Sequence, residues 1–314
     1  MSAIRYRLEK KCLEDITDDD TKETYKRGIR KFETFLLENK ISQRQALRTL
    51  SGKDCVTFIQ NYCDWLVEKN YTAATVHTYL SPVAKACGVN LASIDKPPRI
   101  SAKTTKGRSG EKNRQGKRDL ENEKYKRITE FAAAVGIRRS EYAKLTGKDI
   151  LYDAVSGKPI GVRVISGKGG KDTINYILPQ HQDTVARIVS GIADDQKIFS
   201  REEMKTRADL HQFRRKIAVE AYDYYSHLPP DDLAKLKQEL IEIYCTTKKG
   251  VTPEKITRFK RELDKGDYVL RGANAEKARL AGRPVRYSRV GLFAVSILNL
   301  SHFRNDVTVN HYLQ

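Results

Sequence analysis

The chain has 314 residues, 39% of them hydrophobic and 32% charged, and its 59 Lys+Arg against 40 Asp+Glu give a formal charge of +19. That length allows two domains with proper cores, and the absence of any apolar run of about 18 residues argues against a membrane span. Five scattered cysteines without a CxxC pair argue against a disulfide scaffold or a zinc site and fit reduced thiols in a cytoplasm; the opening Met-Ser-Ala-Ile-Arg-Tyr-Arg lacks a secretory core. Such an excess of positive charge calls for an anionic partner, with nucleic acid in the lead.

Residues 1–100 read as a small helical bundle. Thr17 with Asp20 makes a capping box, and Asp18 and Asp19 suit the positive end of the helix that follows. Tyr25, Ile29, Phe32 and Leu36 recur at helical spacing. A second stripe runs Val56, Ile59, Cys63, Leu66 and Val67, and a third Val76, Tyr79, Leu80, Val83 and Cys87. Pro97–Pro98 closes the unit. The basic residues Lys22, Lys26, Arg30 and Lys85 lie outside these stripes, where they can meet phosphate.

Residues 101–118, SAKTTKGRSGEKNRQGKR, hold seven basic residues against one acidic and little that can be buried. The stretch reads as a linker, and its charge density suits a strap along a phosphate backbone. Lys103, Lys106, Arg108, Lys112, Arg114, Lys117 and Arg118 are its candidate contacts.

From 119 onward the pattern is α+β and mostly helical. A helix over 119–134 turns Tyr125, Ile128, Phe131 and Ala132 inward, breaks at Gly136 and resumes through 139–145. Two β-rich runs, 161–166 and 172–178, flank Gly-Lys-Gly-Gly-Lys and predict a hairpin with a basic, glycine-rich turn. Helical patterns then cover 209–223, 231–244, 253–265 and 286–300.

Nucleotide and metal motifs are missing. Lys168 is followed by Gly169, the spacing GxxxxGK[ST] does not occur, and there is no HExxH, so neither cofactor nor metal is implied. What remains is a series of basic and imidazole residues at element boundaries. Arg138 and Arg139 follow the Gly136 break, with Glu141 placed to orient one of them. Lys168 sits at the hairpin tip, His211 and Arg214 share a helix face at i, i+3, His302 follows an apolar helix, and Tyr312 comes last. Singly, each has a structural explanation, since surface cations are abundant and a lone His or Tyr usually packs.

In order they spell Arg…Lys…His-x-x-Arg…His…Tyr. GIRRSEYAKLTGKDI (136–150) resembles the first arginine box of tyrosine recombinases of the phage lambda-integrase type. VISGKGGKDTINYILP (164–179) resembles their lysine hairpin, LHQFRRKIA (210–218) their His-x-x-Arg box, and LNLSHFRNDVTVNHYL (298–313) their closing segment, with a Leu-Gly-His-like turn before the tyrosine. The N-terminal bundle is similar to the family's core-binding domain.

The resemblance implies a two-domain clamp on DNA. It would comprise a helical domain over 1–100, a basic linker over 101–118 and a mainly α catalytic domain with a small β-hairpin or sheet over 119–314. It implies strand cleavage through a 3′-phosphotyrosyl intermediate on Tyr312, without metal or ATP, by an integrase of a mobile element in a bacterial cytoplasm, on the nucleoid. Arg138 and Arg214 would bind the scissile phosphate, Lys168 (or Lys171) would protonate the leaving 5′-oxygen, and His211 and His302 would serve phosphate or the tyrosine proton. Glu141 would support Arg138, and Arg139 and Arg215 would contact DNA. The partner implied is double-stranded DNA with inverted half-sites, bound by two copies per site and four in synapsis. A relaxing topoisomerase of the same chemistry and an inactive DNA-binding regulator are the alternatives.

Three features depart from the pattern. The His302–Tyr312 interval is one residue longer than is usual in the family, which places His311 where the tyrosine is expected and suggests an insertion around 304–306. The Arg214–His302 interval is also long, and 228–268 reads as an inserted helical subdomain. Finally, the sequence offers no tail beyond Tyr312 to exchange between protomers.

Overall fold

A computed structural model describes residues 2–98, 114–167, 172–248 and 250–313. The chain forms two compact units, residues 1–104 and 105–314. It is mainly helical, with a small antiparallel sheet. No helix among the described residues is long and apolar enough to cross a membrane.

The first unit holds α1 (Ala3–Leu13), α2 (Asp19–Glu38), α3 (Gln43–Leu50), α4 (Cys55–Glu68) and α5 (Ala73–Cys87). The cap of α2 is Asp18, whose Oδ1 accepts from the Asp20 and Thr21 amides, and not Thr17; a carboxylate also complements the helix dipole, which a hydroxyl does not. The stripe on α4 is shifted too. Phe58, Tyr62 and Trp65 join Ile59, Cys63 and Leu66 in the core, while Val56 and Val67 are exposed. Burying three aromatic rings removes more apolar area from water than burying two valines, so the helix rotates toward them. Phe32 and Phe35 of α2 complete this aromatic centre, with ring centroids 5.0–5.9 Å from Tyr62 and Phe58. Gly28 lets α5 approach, since a Cβ there would lie 2.6 Å from Pro82 Cγ.

In the second unit, residues 114–118 of the expected linker are helical, part of α6 (Arg114–Glu121), on which Lys117 and Arg118 are exposed. The buried carboxylate of Asp119 anchors that helix by accepting from the Arg207 amide and from the Gln115 side chain. The single helix expected over 119–134 is divided at Asn122, which caps α7 (Glu123–Val135) through its side chain. A one-turn helix, α8 (Arg139–Tyr142), follows.

β1 (Ile150–Tyr152), β2 (Pro159–Val164) and β3 (Thr173–Tyr176) pair antiparallel in that order. The β2–β3 register runs from Gly161 opposite Tyr176 to Val164 opposite Thr173. The expected hairpin is therefore two of three strands; β1 is too short to show an alternating pattern. Helices α9 (Gln182–Val189) and α10 (Leu210–Ser226) follow.

The stretch 228–268, expected as an inserted helical segment, holds helices α11 (Pro230–Thr247) and α12 (Pro253–Asp264). Their Leu236, Leu240, Tyr244, Phe259 and Leu263 belong to the same buried cluster as Ala218 and Ala221 of α10 and Leu292 and Val295 beyond. Tyr244 and Phe259 stack at 4.2 Å, and Phe293 meets Phe259 edge-on at 5.0 Å. Removing 228–268 would strip one wall from that core.

The expected helix over 286–300 is composite. A two-residue strand pair, β4 (Tyr268–Val269) with β5 (Arg286–Tyr287), encloses α13 (Gly272–Leu280) and leads into α14 (Arg289–Ala294). A wide π turn over Val295–Asn299 ends that helix. The last elements are α15 (Asn305–Val307) and a second π turn, Thr308–Tyr312.

Candidate active site

The second unit has two apolar clusters. One gathers α7, α8, the sheet and α9, and the other gathers α10–α14 and the C-terminal turn. Helix α10 belongs to both, with Leu210 in the first and Ala218, Ala221 and Tyr225 in the second. The polar residues collected at their seam come from the ends of elements on each side.

Gly136 ends α7 in the left-handed conformation, φ +65, which a β-carbon would strain. Its carbonyl accepts from Arg214 Nη1 at 2.8 Å. Two residues on, Glu141 grips Arg138 twice: Oε2 accepts from the Arg138 amide at 2.7 Å and Oε1 from Nη1 at 2.8 Å. The Glu141 side chain is 3% exposed and that of Arg138 28%, so a buried carboxylate aims a guanidinium that still reaches solvent.

Arg214 has no exposed surface. Nη1 braces Gly136, Nη2 donates to the Leu300 carbonyl, and Nε is buried without a partner. No carboxylate forms an ion pair with it among the described residues. Burial pulls its pKa down, while nearby Tyr312 and Glu141 oppose that and Arg138 adds to it. A buried cation without a counter-ion is costly, and a site that holds one is suited to an incoming anion.

Tyr312 closes the group. Its ring lies 5.8 Å from those of His211 and His302, and 5.8 Å from the Arg214 guanidinium carbon. Both ring nitrogens of His302 are buried without a hydrogen-bond partner. Its pKa is lowered to about 4, by burial first and then by Arg214, with Arg138 and Arg304 adding to it. The imidazole is therefore neutral at pH 7, with one donor and one acceptor nitrogen available.

The chain before the tyrosine is widened over 308–312. The Leu313 amide bonds to the Thr308 carbonyl at 3.0 Å, five residues back, so one turn is widened. That widening leaves His311 exposed and brings Tyr312 to the two histidines. Though exposed, His311 is partly desolvated, which lowers its pKa, with Lys277 and Arg304 adding to that and Asp306 opposing it.

The loop bearing His302 is tied to strand β3. Ser301 Oγ donates to Asn175 Oδ1 at 3.0 Å, and Asn299 Nδ2 to the Tyr176 carbonyl at 3.1 Å. Ser301 has φ +52, the left-handed conformation that favours glycine. These three polar residues were not singled out by the sequence. The one available signal was the Leu-Gly-His-like turn, in which Ser301 stands in the glycine place.

Other expected site residues are placed differently. Lys168 and Lys171 lie outside the described residues, as do Lys103, Lys106, Arg108, Lys112 and the Arg114 side chain. Near the hairpin tip, the Ser166 amide donates to Asp172 Oδ1 at 2.8 Å. Arg139 turns away from the pocket and donates to the Met204, Thr206 and Ala208 carbonyls, which makes it a tie for that loop. Arg215 is half-buried, with Nε lacking a partner. In the first unit, Lys22 pairs with Asp19, Arg30 with Glu23 and Lys85 with Asp15, while Lys26 is half-buried. Among the described residues no group of His, Cys, Asp and Glu is arranged to hold a metal ion.

No family model and no curated protein matches this chain. Among solved structures, the crystal structure of XerA recombinase aligns with 90% of this chain and 98% of that chain, at 14% identity and a TM-score of 0.27. A likeness at that level carries no argument about function, which has to come from the site itself.

Proposed function

We propose that the chain is a tyrosine-type, site-specific DNA recombinase, an integrase of a mobile element, that cuts and rejoins duplex DNA without metal or ATP. The observation that carries this reading is the meeting, at one largely buried and positive seam, of a tyrosine, two arginines and two histidines drawn from four separated segments.

In this reading a scissile phosphate settles between Arg138 and Arg214 and supplies the anion that buried Arg214 lacks. Tyr312 Oη attacks phosphorus, the P–O5′ bond breaks, and a 3′-phosphotyrosyl ester keeps the bond energy for rejoining. Charge building on the non-bridging oxygens is met by preorganised guanidinium donors, each worth about 3–4 kcal/mol by analogy with oxyanion holes. Neutral His302 offers an acceptor for the tyrosine proton, and His211 donates to phosphate. Lys168, or Lys171, protonates the departing 5′-oxygen. Two copies on inverted half-sites, and four in synapsis, complete the exchange.

Covalent capture tests this. The protein is incubated with its source genomic DNA, quenched in SDS, and the adducted fragments are sequenced beside a Tyr312→Phe control. Adducts clustered at a few sites and abolished in the variant are expected. Scattered adducts that depend on Tyr312 would make the chain a relaxing topoisomerase. Tight binding with no adduct at all would make it a regulator.

A further inference from the structure

Outside the catalytic seam, a recess of about 240 Å³ is lined by Lys144, Lys148, Arg163 and Lys197, with Glu141 and Asp149 among its other walls. Glu141 holds Arg138 with both oxygens, and Asp149 Oδ2 accepts from the amide and hydroxyl of Thr146, each at 2.8 Å, while its Oδ1 is buried without a partner. The four cations outnumber the two acids, of which Glu141 is fully committed to Arg138 and Asp149 in part to Thr146.

The frame that presents them is stitched across the fold. The Gly147 amide donates to Gln196, Lys148 to Asp194, and Ile198 to Leu145, at 3.0–3.1 Å. Lys197 Nζ donates to the Lys144 carbonyl at 2.6 Å, and Lys144 Nζ to the Ser166 carbonyl at 3.0 Å. Lys148 and Arg163 are exposed and enter no ion pair among the described residues. Like charges held in a concave, fixed frame repel one another until an anion enters, and they focus positive potential there.

We propose that this recess is a second anion seat, which holds one backbone phosphate of duplex DNA beside the catalytic pocket, with Glu141 as their common wall. The inference rests on the DNA-cleaving reading above and adds to it a contact that positions the strand without reading sequence.

The test is the salt dependence of duplex binding by the full chain, with and without Lys148→Gln/Arg163→Gln. Both side chains are exposed, and a thermal melt checks that the variant folds; Lys148→Glu alone is the second variant, with the same readout. Losing one seated phosphate should make the slope of log K against log salt shallower by about 0.9, with binding weakened several-fold at moderate salt. The control Lys235→Gln/Lys265→Gln removes equal charge from lysines already paired with Asp232 and Glu262, and its slope should stay that of the unsubstituted protein. Equal slopes in the recess variant and the unsubstituted protein, or an equal loss in the control, would overturn the seat. If Tyr312-dependent adducts still form in that case, the DNA-cleaving reading survives alone. If the unsubstituted protein shows no salt-dependent duplex binding, both fall.

Discussion

His302 shows how position alone sets the chemistry of a side chain. Its ring is enclosed, unpartnered and faced by Arg214, Arg138 and Arg304, so its protonated form is disfavoured and its pKa falls from 6.5 to about 4. The unfolded chain then binds this proton at a higher pH than the native protein does. Its contribution to stability is complete above about pH 6.5 and is lost as the pH falls toward 4, by about 2 kcal/mol between pH 7 and 5. Denaturant titrations at the two pH values should show that loss, and His302→Asn should remove most of it. His311, lowered in the same direction, leaves a smaller residue of the effect. An unchanged difference in the variant would show that His302 is not the neutral, enclosed group described. Arg138, His211, Arg214, His302 and Tyr312 were legible beforehand because each sits in a short motif. Asn175 and Ser301 were not, because their value lies in meeting each other across 126 positions of chain.

The C-terminal turn makes the same point for an element. The interval implied by the sequence resemblance put His311 in the tyrosine's place, although Tyr312 was the expected nucleophile. The bond from the Leu313 amide to the Thr308 carbonyl spans one residue more than an α turn, so this turn holds one residue more than a regular helix would. Deleting Asn310 would turn that bond into an ordinary i→i−4 bond and keep the tyrosine facing His211 and His302. The variant should therefore retain covalent adduct formation within about tenfold in rate, roughly 1.4 kcal/mol of barrier. Without the wide turn, the deletion would swing the tyrosine about 100° around the helix and abolish adducts. Helices α11 and α12 were legible as amphipathic helices. Their role as a wall of the main core was not, since periodicity shows that a face is apolar and not what covers it.

Over the whole molecule, the apolar clusters divide as the units do. The cluster of Phe32, Phe35, Phe58, Tyr62 and Trp65 is drawn entirely from residues 4–94, and the other two are drawn from residue 128 onward. A segment with its own aromatic core has what it needs to fold alone. Residues 1–98, expressed separately, should give a single cooperative thermal transition; a non-cooperative melt would show that this core depends on the rest of the chain.

The sequence by itself determined the helical character, the strongly basic surface and the order of the residues suited to phosphate chemistry. These follow from composition, local spacing and short motifs, which act over a few residues. Only the tertiary structure decided that Arg214 would be wholly buried and braced between Gly136 and Leu300, that Tyr312 and not His311 would face the histidines, and that four cations would share a recess beside Glu141. Those outcomes depend on which distant segments are packed together and on what water is excluded when they are, and neither is written into any one stretch of chain.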